Sequence, residues 1–492
     1  MGTEIDRTEF SPADYQAFKG ALAEDLSTLH KLLGDPGFGE GPGSIGAELE
    51  VYIVDEHGAP LKINRELLAD ADDPQLTLEL NRYNLEYNLS PSQLSNEPFL
   101  NTEREILEKL AMLRTLAAKR GGRIVPIGIL PTLRQSDFGS HCVTPTKRFR
   151  ALVAQLIKRR GSSFAIDING SDPLKINMAD ITLEGANTSF QVHYRVSPEK
   201  FADTFNAIQL VTPLAVAIGA NSPTLFGHSL WHETRIPLFK QAIDTRHLDR
   251  YGWNEPARVN FGHGWLRRGA WELFAEMARI YPPLLPVCAA ASRSGPSPEK
   301  APSLAQLCLH LSTVWLWNRP VYDSADGGHL RIEMRALPAG PTAIDMVANA
   351  AFLIGLAEAI RPQINDLLPS LPFHMADYNF YRAAQHGLGA RLIWPQRDKT
   401  GCREQSVTTI IEKLLPRARE GLDAIGIAPD EANYYLDIIQ ERLASQQTGA
   451  IWQQKQLGIL KQQLPLDDAL RELLEVFMAN SNNNKPVASW SL

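Results

Sequence analysis

Four short stretches of this chain alternate apolar residues with charged or polar ones, and the charged positions are Glu, His and Arg. Side chains on a strand point to opposite faces in turn, so residues two apart share a face. In Gly46-Ala-Glu48-Leu-Glu50-Val-Tyr-Ile-Val54, the residues Ala47, Leu49, Val51 and Ile53 form an apolar face, with Glu48 and Glu50 opposite. Asn84, Glu86 and Asn88 stand in the same way against Leu85, Tyr87 and Leu89. Gln191, His193 and Arg195 stand against Phe190, Val192, Tyr194 and Val196, and Leu330-Arg-Ile-Glu333-Met-Arg335 repeats the split. If these strands share one sheet whose apolar face packs on helices, their other faces meet in one concave surface of carboxylates, a histidine and arginines.

A plain antiparallel sheet with one solvated face accounts for any one of these strands. Their recurrence is less ordinary, because Glu-x-Glu puts like charges on one face that need cations to compensate them. Carboxylates with one imidazole and no thiolate suit Mg²⁺ or Mn²⁺ better than Zn²⁺. Arginine beside them suits phosphate or carboxylate, since its fork binds two oxygens at once. The chemistry implied is phosphoryl transfer on a metal–nucleotide complex.

Competing motifs fail on context. Gly41-Pro-Gly43-Ser-Ile-Gly46 matches GxGxxG, but a helix precedes it and a strand follows, the reverse of a dinucleotide fingerprint. There is no Walker loop and no GxSxG elbow, and His232-Glu233-Thr-Arg235-Ile236 lacks the second histidine of a zincin.

Composition narrows the class further. With 49 Lys and Arg against 56 Asp and Glu in 492 residues, the net charge of −7 offers no basic field for a phosphate backbone, so nucleic acid is not an expected partner. The apolar stretches at 210–220 and 346–360 read as short of the roughly 20 residues of a membrane span, and the start shows no signal peptide. Cys142, Cys288, Cys308 and Cys402 form no CxxC pair and read as reduced thiols of a cytoplasmic protein.

Helical periodicity predicts a first helix after Ser11-Pro12, then helices over 101–119, 145–160, 198–218, 303–317 and 342–360. Strands are expected over 46–54, 85–89, 123–129, 189–196 and 329–337. From about residue 401 the pattern turns helical (407–420, 429–445, 466–478). The expected division is a catalytic domain over 1–400, a C-terminal helical module over 401–480 and a loose tail over 481–492.

In order along the chain, Gly46-Ala-Glu48-Leu-Glu50, Asn84-Leu-Glu86-Tyr-Asn, Pro145-Thr-Lys-Arg148-Phe149, Asn187-Thr-Ser-Phe-Gln-Val-His193, Asn221-Ser-Pro223 with Thr234-Arg235, and Glu333-Met-Arg335 resemble the glutamate-cysteine ligase type 2 family of ATP-dependent carboxylate-amine ligases, in the glutamine synthetase-like superfamily. The resemblance covers roughly residues 40 to 360 and implies an α+β fold in which a curved antiparallel sheet forms a concave active site, with helices on its convex side. It implies ATP and Mg²⁺ (or Mn²⁺), with Glu48, Glu50, Glu79, Glu86, His193 and Glu333 as metal ligands. Arg335, Arg148 and Arg195 would contact the nucleotide, Arg335 acting in catalysis with Arg235, which would hold the amino-acid carboxylate. The substrates implied are glutamate or a similar carboxylate and cysteine or another amine. Two departures bear on the pocket. Gln191-Val-His193 stands where carboxylate-amine ligases have His-x-His, and Glu233-Thr-Arg235 replaces a Ser-Tyr-Arg triplet. His232, His263 and Trp265 are further candidates to line it. The rival readings are a nucleotide or amino-acid sensor on the same fold and a guanidino-kinase-like phosphotransferase.

Overall fold

The computed structural model describes residues 4–246, 255–288, 301–395 and 401–492. Strand β1 (Ser44–Val54) is the spine of an eight-stranded sheet that includes β2 (Leu76–Leu78), β3 (Asn84–Asn88), β4 (Ser92–Gln93), β5 (Arg123–Val125), β6 (Phe190–Arg195), β7 (Asn318–Asp323) and β8 (His329–Met334). The order is β7-β8-β6-β1-β3-β2 with every pair antiparallel, and β4 and β5 pair with the two ends of β1. The expected α+β architecture is what the chain adopts.

The sheet is backed by the helices over residues 98–118, 201–219 and 343–360. After the first helix, α1 (Pro12–Leu32), opened by a Ser11–Asp14 capping box, come α2 (Pro98–Ala118), α3 (Lys147–Arg160), α4 (Phe201–Gly219) and α5 (Arg235–Ala242), followed by α6 (Ala343–Ile360). Every residue of α6 and nearly every residue of α4 is buried, which explains why both are apolar all round. By length and composition the helical stretches Pro198–Gly219 and Ala343–Ser370 could cross a membrane, contrary to the short runs read from sequence. In the fold their most apolar windows are 89% and 94% buried, as core helices are. Helix α7 (Val407–Ala424) crosses α6 where Gly421 meets Gly355, and a Cβ on either would collide with the other helix's backbone.

Other differences from the sequence reading have local causes. The helix expected over 303–317 stops at Leu311, and Trp315–Leu316 pairs in parallel with Val259–Asn260. The strand Asn318–Asp323, just beyond the expected helix, was not anticipated. Ser197-Pro198 begins a 3₁₀ turn with no side-chain cap rather than the helix itself. The hairpin Phe164–Ile168 with Leu174–Met178 was not among the expected strands.

The chain beyond residue 401 packs directly on the rest. Helices α8 (Pro429–Ser445), α9 (Gly449–Leu460) and α10 (Leu466–Asn482) follow α7. The Glu431 carboxylate accepts the Phe99 and Leu100 N–H groups at 2.8 and 2.9 Å, capping a first turn of α2 whose own N-cap residue provides no side-chain bond. Arg442, 1% exposed, pairs with Asp345 at 3.1 Å and donates to the Asp345 and Ile218 carbonyls and to Asn349. The tail expected to be loose is anchored. Asp345 accepts the Val487 N–H at 2.9 Å, and Trp490 stacks edge-on against Trp452 and Phe477. The sequence cue of polar Asn480 to Asn484 says nothing of a tryptophan six residues further on that finds a pocket.

Arg442→Ala leaves Asp345 as an uncompensated buried carboxylate. It is expected to cost about 3–5 kcal/mol of unfolding free energy, measured by urea denaturation. A loss under about 1 kcal/mol would mean that this contact does not hold the C-terminal helices to the core.

Candidate active site

The register of the sheet sets the site. Glu50 lies directly opposite Glu86 on β3, Glu48 opposite Gln191 on β6, and His193 opposite Glu333 on β8. Alternation turns all of these to the concave face. Among the described residues two groups of three donors come together, Glu48 with His193 and Glu333, and Glu50 with Glu79 and Glu86, their ligand atoms within 4.8 Å of one another. Five of these six residues sit on strands, and Glu79 follows the end of β2.

Hydrogen bonds fix the carboxylates. Glu50 accepts from the Ser189 N–H at 2.7 Å and from Gln191 Nε2 at 3.0 Å, and Glu86 accepts from Thr77 and Asn88. His193 Nε2 lies 3.1 Å from Glu48. Glu333, fully buried, is gripped by both arms of Arg319 at 2.6 and 2.9 Å and by Arg335. Gln191, standing where the family pattern has histidine, joins the halves: its Oε1 accepts from Arg335 while its Nε2 donates to Glu50.

The electrostatics divide along the same line. Burial works to raise both Glu48 and Glu333, but His193 holds Glu48 down to about 2, and Arg319 and Arg335 hold Glu333 well below the usual range. In the other group burial prevails. It raises Glu50 against the pull of Arg335 and Arg235. It lifts Glu79 well above the usual range, with Glu86, Glu50 and Glu184 adding repulsion, and burial with the Glu48 charge pushes Glu86 up to about 8. Glu184, in a 3₁₀ turn beside them, is likewise pushed up to about 8 by burial and Glu50. The donors are carboxylate oxygens and one imidazole, His193 Nδ1 is buried with no partner, and the clustered carboxylates repel one another. Such a set fits hard divalent cations.

A cavity of about 370 Å³ opens onto the Glu50, Glu79 and Glu86 group and is also lined by Arg148, Arg319 and Arg335. Arg148 lies near the start of α3, 8% exposed, and donates to Ser312 Oγ at 3.1 Å. Five residues expected at the pocket fall elsewhere. Arg195 is absent from this lining and donates to the Glu40 carbonyl at 2.9 Å, at the glycine-rich loop. Arg235, expected to hold a substrate carboxylate, is 3% exposed and is taken up by Glu233 at 3.2 Å and by the Ala336 and Arg335 carbonyls. Glu233 also accepts from the Asn221 N–H and Ser222 Oγ, so the Asn-Ser-Pro turn and the Glu-Thr-Arg segment lock each other in place. His263 and Trp265 line a separate cavity, and His232 packs beside Gly387. Sequence reasoning missed Arg319 and Glu184. The Arg319 signal was present in the alternation of β7, just beyond the expected helix.

Residues 44–253 match the model of glutamate-cysteine ligase family 2, so the resemblance drawn from the motifs is borne out over that segment. No curated protein sequence matches the chain. Among solved structures, the glutamate–cysteine ligase of Francisella tularensis in complex with AMP has a TM-score of 0.50 at 12% identity, covering 92% of this chain and 96% of that one. A bifunctional glutathione synthetase from Pasteurella multocida has 0.45 at 12% identity, covering 94% and 55%. At 12% identity the likeness to the Francisella tularensis structure is one of fold.

The raised carboxylates give a pH signature. Folded Glu86 and Glu184 hold protons up to about 8 that an unfolded chain releases near 4.5, so their contribution to stability is complete below 4.5 and is lost as pH rises through 8. Glu48 and Glu333, held low, lose their contribution only in acid well below that window. In EDTA the melting temperature is expected to fall between pH 5.5 and 8.5, and Mg²⁺ should restore it more strongly at the higher pH, because cation binding needs the carboxylates deprotonated. A melting temperature independent of pH and of Mg²⁺ would contradict this.

Proposed function

We propose that this protein is an ATP-dependent carboxylate-amine ligase that forms an amide through an acyl phosphate, with the γ-carboxylate of glutamate as the activated group. The observation that carries this reading is the pair of three-donor groups on one concave sheet face, beside a cavity edged by arginines. The family match over residues 44–253 supports the same class.

In this reading Glu48, His193 and Glu333 would hold one divalent cation and Glu50, Glu79 and Glu86 another. Cations bound there would supply neutralisation of the triphosphate charge. A carboxylate oxygen of the substrate attacks the γ-phosphorus of ATP, and ADP departs. The amine nitrogen then attacks the acyl carbon, the C–N bond forms as the C–O bond to phosphate breaks, and inorganic phosphate leaves. The protons that the amine loses pass to cavity carboxylates and solvent. Arg335, fixed by Glu333 and Gln191, is placed to steady the transferred phosphoryl oxygens, and Arg148 to receive a substrate carboxylate. Arg235 acts as a support: through Glu233 and the Ala336 carbonyl it holds the segment that follows β8. The chain's contribution is positioning and charge, without a covalent nucleophile.

Incubation with ATP, Mg²⁺ and glutamate, with cysteine and a panel of amines, should release phosphate only when carboxylate and amine are both present, and mass spectrometry should find a new amide. Phosphorylated amine or guanidine instead of amide would favour the kinase, and binding without ATP consumption the sensor. Glu333→Gln is expected to lower turnover by more than about 100-fold. Because the neutral amide leaves Arg319 and Arg335 without their anion, Glu48→Gln serves as a second variant with the same expected loss. Full activity in either would remove that residue from the site.

A further inference from the structure

The cavity at Glu50, Glu79 and Glu86 changes character along its length. Helix α3 forms one wall, with Arg148 and Phe149 near its start and Leu152 and Leu156 one and two turns further on, all facing the cavity. Eight residues of helix rise about 12 Å, so the wall passes from guanidinium to hydrocarbon within the length of one small molecule. Ile243, also in the lining, lies toward the end of α3. It sits there because the next residue, Asp244, gives its carbonyl to Arg160 at the end of α3. The cations among the described lining residues, Arg148, Arg319 and Arg335, lie at the other end, the last two engaged with Glu333. Glu184 lines the cavity and belongs to neither donor group.

We propose that this apolar arm receives the non-reacting part of the amine substrate, and that the amine carries an uncharged aromatic or alkyl tail, with Glu184 facing its ammonium group. An amino acid such as cysteine would bring a second carboxylate into an arm that offers it no cation, a desolvation cost without compensation. A tail of several methylenes gains instead from leaving water. The inference rests on the ligase reading and deepens it by naming the class of acceptor.

Two assays keep the two claims apart. With ATP, Mg²⁺, glutamate and hydroxylamine, a trapped glutamyl hydroxamate reports the activated carboxylate whatever the natural amine, and its absence would overturn the ligase reading and this inference together. Given hydroxamate, kcat/KM is expected to rise about fourfold per methylene from methylamine to hexylamine, with phenethylamine also favoured over cysteine. Cysteine or methylamine as the better acceptor would overturn the inference alone. Leu152→Asn, and Phe149→Ala should the first not fold, are expected to lower the hexylamine-to-methylamine ratio about tenfold. A raised KM for ATP with that ratio unchanged would assign the arm to the nucleotide base and equally overturn it.

Discussion

Like charges face one another across neighbouring strands at the centre of this sheet. Glu50 stands opposite Glu86, with Glu48 two residues along the same strand and Glu79 close by. Side chains directly opposite are held about 5 Å apart by the ladder, so the repulsion cannot be relieved by drifting apart while the strands stay paired. Burial sharpens it, since few solvent dipoles remain to screen the charges. Much of the surrounding structure serves to hold this arrangement. Arg319 and Arg335 clamp Glu333, Gln191 ties Arg335 to Glu50, and the Ser189 N–H fixes the other oxygen of Glu50.

The stability that tolerates such a site comes from the opposite face. Helices α4 and α6 are buried throughout, and α7 crosses α6 closely enough to require glycine on both sides. The C-terminal helices add polar locks to this apolar base: the Glu431 cap on α2 and the Arg442–Asp345 pair join segments more than 90 residues apart in sequence. The interior of the molecule therefore gives one face of the sheet a rigid backing. The other face carries groups that are unfavourable for folding and suited to binding cations and phosphates, a division common where function is built on a scaffold.

Much of the site was legible because strand alternation is a local signal. Glu48, Glu50, Glu86, His193 and Glu333 could be placed on one face from residues two apart, and Glu79 came from family resemblance. What was not legible depends on contacts distant in sequence. Arg319 lies on a strand that was not expected, just past the apolar run through Val314 and Leu316 that was read as helix and that instead buries itself beside a short parallel strand. Glu184 sits in a 3₁₀ turn with no periodicity to mark it. Arg235 looked like a substrate contact until Glu233, two residues away, proved to be buried against it. The anchoring of Trp490 by Trp452 and Phe477 likewise leaves no trace in the composition of the tail.

Activation of a carboxylate by phosphoryl transfer can be followed through a single oxygen atom. With glutamate labelled by ¹⁸O in its γ-carboxylate, turnover in the presence of ATP, Mg²⁺ and an accepted amine should place one labelled oxygen in each inorganic phosphate released, because the bridging oxygen of the acyl phosphate leaves with phosphorus. Amide formed alongside wholly unlabelled phosphate would contradict the account.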